Sequence, residues 1–152
     1  MASILDQILL TLVARLAAIP QWDVQLRTGA NAADAAVRAT VFHISEDKDF
    51  ANNEFYNCTL RVGVSIIVRM EDADPVLDVG TDGEPNPYRY FDRMRVLAEK
   101  KIHEPDSWGF DPDFTDVKIN GHEVDNPSEK NELEGLMRLT FTYRHSITSP
   151  EE

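Results

Sequence analysis

Between Tyr56 and Met70 the chain alternates at the period of a β-strand. Tyr56, Cys58, Leu60, Val62, Val64, Ile66, Val68 and Met70 fall on one side, and Asn57, Thr59, Arg61, Gly63, Ser65, Ile67 and Arg69 on the other. Only Ile67 is out of pattern. At about 3.3 Å per residue such a strand is roughly 50 Å long, against the usual ~17–20 Å. It is expected to outgrow a small core, as an arm or against another chain. Residues 133–147 repeat the design, with Leu133, Gly135, Met137, Leu139, Phe141, Tyr143, His145 and Ile147 in one row. The other row is Glu134, Leu136, Arg138, Thr140, Thr142, Arg144 and Ser146. The two strands, 56–70 and 133–147, are expected to pair antiparallel, apolar sides under helices and polar sides towards water or another subunit.

Two stretches carry the helical period. Residues 3–18 place Ile4, Leu5, Ile8, Leu9, Leu12, Val13 and Leu16 on one stripe, with Ser3 as N-cap, Asp6 in the first turn and Pro20 as the stop. Residues 87–103 open on Asn86-Pro87, a cap followed by proline at the first helical position. Tyr88, Phe91, Met94, Leu97, Ala98 and Ile102 form its predicted buried stripe, and Lys100, Lys101 and His103 suit its C-terminal end. Both helices are expected to pack on the sheet.

The remaining segments are shorter. Trp22, Val24 and Leu26 alternate with polar residues and predict a short strand; residues 32–36 have helical propensity over too little length. Strand 37–44 follows, then a polar connection, Ser45–Glu54, taken as the tip of a hairpin. The acidic loop 71–86 carries Asp72, Asp74, Asp78, Asp82 and Glu84 with glycines and prolines and no base. Its Val76 and Leu77 are the only residues there that suggest burial. Trp108, Phe110 and Phe114 in loop 104–115 suit either a lid on the core edge or anchors for a partner. Asn120-Gly121 within 116–125 reads as a type I′ hairpin turn. Thr148–Glu152 is expected to fray. The order is that of one α+β domain over residues 1–152: a two-layer sandwich, a mainly antiparallel sheet with long strands packed under two helices.

Composition narrows the chemistry. The net charge of −12, from 27 acids and 15 bases, repels phosphate and argues against a gripping nucleic-acid surface. Neither a secretory leader nor a membrane span is expected, since the first apolar run lacks a basic start and is broken by Asp6, Gln7 and Arg15. The single cysteine, Cys58, reads as a buried small hydrophobe. Asp78, Asp82 and Gly83 match positions one, five and six of a calcium-binding EF-hand loop. Gly80 and Arg89 stand where ligands belong at three and twelve, so no metal or cofactor is expected. His43, His103, His122 and His145 are dispersed, and no serine lies in a nucleophile elbow, so no enzyme is expected.

The helix Ile4–Leu16, the strand YNCTLRVGVSIIVRM, the helix YRYFDRMRVLAEKKI and the closing LEGLMRLTFTYRHSI together resemble the tail terminator family (tail completion, minor tail protein U-like) of long-tailed bacteriophages. The resemblance covers most of the chain as layout and rests on hydrophobic pattern. It implies a structural virion protein that forms a ring, usually a hexamer, at the head-proximal end of the tail tube. Such a ring ends tube polymerisation, docks the head connector or head-closure protein, and lets DNA pass through its lumen without specific binding. The alternatives are a neighbouring head-closure or neck ring and, from a different class, a small α+β enzyme or ligand-binding domain. For a ring, the expected contact joins a basic sheet face (Arg61, Arg69, Arg138, Arg144) to a neighbour's acidic loop (Asp72, Asp74, Asp78, Asp82, Glu84).

Overall fold

The computed structural model describes residues 4–26, 35–50, 54–104, 114–125 and 131–146. Helix α1 (Ile4–Ala17) is followed by strands β1 (Trp22–Leu26), β2 (Val37–Phe50) and β3 (Phe55–Arg69). A short 3-10 turn (Met70–Asp72), helix α2 (Pro87–Ile102) and strands β4 (Phe114–Val124) and β5 (Glu132–Ser146) complete the order. One five-stranded sheet forms in the order β1-β2-β3-β5-β4. All neighbours run antiparallel except β1 and β2, which are parallel. Two helices on a mixed, mainly antiparallel sheet make an α+β sandwich.

The two long strands lie side by side in unbroken register from Phe55↔Ser146 to Arg69↔Glu132. One face of the pair is sealed: Cys58, Leu60, Val62, Val64, Ile66 and Val68 of β3 are buried with Leu133, Met137, Leu139, Phe141 and Tyr143 of β5. Over this face lie Ile8, Leu12 and Leu16 of α1 and Phe91, Met94, Ala98 and Ile102 of α2, all in one core. Tyr90, rather than the expected Tyr88, joins the α2 stripe, and Tyr88 is exposed. Positions 90, 94, 98 and 102 stack at four-residue steps, and a residue two positions from Tyr90 lies nearly on the opposite side of the helix. Asn86 caps α2 by accepting from the Tyr88 and Arg89 amides at 2.9 and 3.4 Å. At the other end Arg15 of α1 donates to the carbonyls of Lys101, Ile102 and Glu104. A buried cation thereby satisfies the last carbonyls of α2 and ties the helices together.

Two sequence expectations give way. Ser45–Phe50 is strand, not a connection: β2 continues past a bulge at Ile44 and pairs with β3 as far as Phe50↔Tyr56. Hairpin 116–125 is likewise absent, because β4 is one strand whose whole length pairs with β5. Asn120 is the extra residue of a bulge, and Gly121 takes φ 153°, a conformation L side chains rarely adopt. The glycine was needed for a bulge rather than a turn. Residue 3, most of 32–36, Trp108, Phe110 and 148–152 lie outside the described residues.

Candidate subunit interface

The face of the sheet away from the helices carries the predicted arginines. Arg61 lies on β3 opposite Thr140, and Arg138 on β5 opposite Gly63; both are exposed. Each is held by an acid of its own chain, Arg61 by Asp47 at 2.6 Å and Arg138 by Glu123 at 2.7 Å. Arg144 shares the face, opposite Asn57. Arg69, at the end of β3, binds Asp72 at 2.8 Å. Arg38 pairs with Glu132 and Ser65 with Glu134, so cations and acids alternate across this layer. In its middle the Phe42 ring lies on Gly63, where a Cβ would come within 2.4 Å of the ring. A glycine in the polar row is thus explained by the aromatic that covers it.

The acidic loop is built rather than merely solvated. Asp78 is fully buried, and Arg93 donates to its two oxygens at 2.8 and 2.9 Å. This two-pronged bond holds the Asp78 carboxyl below the usual carboxylate range, against the opposing effect of burial. Asp78 also accepts from the Asp74 amide. Asp74 accepts in turn from the Val76 and Leu77 amides at 2.7 and 2.9 Å, and those bonds lower its own pKa. Asp82 accepts from the Glu84 amide, and Val79 bridges Pro85. Val76 and Leu77 are 81% and 65% exposed, so the pair that suggested burial is held out in solvent while an aspartate forms the loop's interior. With Asp78 engaged by Arg93, the partial EF-hand spacing describes an ion-paired turn.

Among the described residues, concavities flank the sheet on two sides. One of about 980 Å³ lies among Trp22, Val37, Arg69, Tyr90, Arg93 and Met94. Trp22 is buried and its indole Nε1 has no hydrogen-bond partner. The other, about 670 Å³, runs between α2 and β4. It brings together His103, His122 and Glu99, with Arg95, Val117 and Ile119. Both imidazoles are exposed, and Arg95 holds Glu99 at 2.8 Å. His43 is exposed elsewhere, on β2. Cys58 is buried beside Tyr143, whose hydroxyl donates to Glu46; burial pushes both the thiol and the phenol up.

No family profile and no curated protein matches the sequence. Among solved structures the chain is similar to one from the "Virion of native gene transfer agent (GTA) particle", at 9% identity and a TM-score of 0.48. The match covers 94% of this chain and 92% of that one.

What sequence reasoning missed is on β2. Beyond Val41 this strand has no neighbour on its outer side among the described residues. Ile44 and Asp47–Phe50 are exposed there, on both faces. The polar run SEDKDF hid the strand, since acids and lysine are poor strand formers. The strand row Val37–Val41 leading directly into it was the available signal. No helix among the described residues is long and apolar enough to cross a membrane.

Proposed function

We propose that this protein is a structural ring subunit of a phage tail, the tail terminator. In this role it sits at the head-proximal end of the tube, stops tube polymerisation and presents a docking surface to the head connector. The observation that carries the reading is the pair of 15-residue strands in full register, with a helix-covered face and an open face of interleaved charge. A long sheet, open on one side and bordered by a strand with no outer neighbour among the described residues, supplies more surface than one subunit uses. The element order supports the same reading through the layout shared with tail terminators. The role is non-enzymatic. The histidines that share a groove are solvated, and the carboxylate beside them is engaged by arginine. The ring is homo-oligomeric, with hexamer the expectation from the resemblance. DNA would pass a face where cations are neutralised by neighbouring acids, which suits sliding over gripping.

The test is assembly. Sedimentation of the purified protein, alone and with purified tail tubes, should give a ring-sized species bound at one tube end. Particles lacking the protein should carry tails of unregulated length. Tails of normal length without it would refute the terminator role, and a ring bound only to the connector would move it to the neck.

A further inference from the structure

The two borders of the sheet point to how one copy meets the next, an inference that rests on the ring reading above. On one border, beyond the β2 bulge, Ser45–Phe50 pairs with β3 and has no strand on its other side among the described residues. On the other border, among the described residues, β4 pairs with β5 alone and lies beside the groove under α2. Open strand borders of this kind invite pairing with another chain.

Two features match one border to the other. The first is direction. Three successive antiparallel pairings, β2 with β3, β3 with β5 and β5 with β4, make β4 run opposite to β2. A neighbour generated by rotation about an axis along the strands therefore brings its β2 antiparallel to β4, the stronger ladder. The second is level. Following the register across the sheet, Ser45 stands level with Arg61, Thr140 and Lys118, and Asp47 with Thr59, Thr142 and Asp116. The bulges at Ile44 and Asn120 flank the same rung, Val62–Leu139, so both borders turn at one height and stay complementary. Exposed Ile44 falls between the rungs of Lys118 and Ile119, and Ile119 is a half-buried residue of the groove.

We propose that β4 of one copy and Ser45–Phe50 of the next pair antiparallel, so that the sheets run on from subunit to subunit around the ring. The contact is heterologous: each copy uses a different border on each side, as ring closure requires.

Cross-strand cysteines test this, because paired strands hold Cα atoms at about 4.5–5.5 Å, within disulfide range. Lys118→Cys combined with Ser45→Cys or with Asp47→Cys covers two neighbouring registers, and the parent with Cys58 alone is the control. Lys118 and Asp47 are exposed and Ser45 is half-buried, and the Asp47–Arg61 pair is a surface one, so melting close to the parent's is expected for each variant. Mild oxidation of the assembled protein, in solution or on tubes, should give at least one pair a covalent ladder extending beyond the dimer. The single-cysteine variants should remain monomeric on denaturing gels. Ready dimers from Lys118→Cys alone would mean two β4 borders face each other, overturning the proposal. A ring-sized species with no ladder in either pair would overturn it while leaving the ring reading intact. A protein monomeric both in solution and on tubes would sink both.

Discussion

The near and far halves of β2 are continuous strand in opposite surroundings. From Val37 to Val41 both borders are paired and alternate side chains are sealed, Ala39 and Val41 at 0% exposure. From His43 to Phe50 one border is paired, no side chain is buried, and Phe50 is 65% exposed. The far half still has strand geometry because its partner there is itself anchored, with Cys58 and Leu60 of β3 buried. Burial holds the near half and a neighbour's burial holds the far half. The first should matter for folding and the second for what the folded protein meets.

The sharpest break of that contrast is a matched pair of aspartates. Val64→Asp places an unpaired charge in the sealed layer, where burial costs several kcal/mol, and should abolish soluble folded protein. Phe50→Asp should melt within a degree or two of the parent while altering assembly. Circular dichroism melts decide it; a folded, parent-like Val64→Asp would mean the covered face is wrongly assigned.

Two glycines repeat the contrast across the sheet. At Gly135 a Cβ would lie 2.2 Å from the Phe91 ring and 2.8 Å from the Glu123 carbonyl, both fixed by packing. Gly135→Ala should cost about 1–3 kcal/mol as overpacking. Gly63→Ala meets only the ring of Phe42 on the open face, which can swing away, so its cost should be smaller. Urea titrations that rank them the other way would count against the open face being open.

Asp78→Asn removes one side of a two-pronged ion pair and should cost about 1–3 kcal/mol. The folded pKa of Asp78 is depressed, chiefly by Arg93. Its contribution is therefore complete above the unfolded value of about 3.9 and is lost as pH falls through the lower folded value. The gap between parent and variant should be constant from pH 5 to 7 and narrow in acid. A gap that widens below pH 4 would contradict the ion pair.

Smallest are the surface changes. Arg61→Glu with Arg138→Glu breaks two exposed pairs, each worth about 0–1 kcal/mol, and replaces attraction by repulsion from Asp47 and Glu123. Melting should fall slightly, and less in high salt. Val76→Asp and Leu77→Asp should leave melting unchanged, since both side chains stand in solvent. A clear loss there would show the pair packed against something.

Much of the fold was legible in the sequence because a half-buried strand and a helix write their buried sides at different periods. Tyr56–Met70 and 133–147 declared their length, their sealed rows and each other as partners. The interface was less legible. Arg61 and Asp78 were visible as charges, but their partners, Asp47 and Arg93, are 14 and 15 residues away, and no local spacing marks such a pair. Asn120-Gly121 was read as a turn because the residue that permits a turn also permits a bulge.

By itself, then, the sequence determined which residues can be buried, since apolar periodicity is a property of the chain alone. It also determined where helices begin, since Asn86 and Pro87 act on their own backbone. Only the tertiary structure decided that SEDKDF is strand, that Asp78 lies inside its loop, and that two glycines sit beneath aromatic rings. Each depends on a neighbour brought from far along the chain. A strand with poor propensity forms when its partner is already fixed, and a carboxylate enters the interior when a guanidinium meets it there.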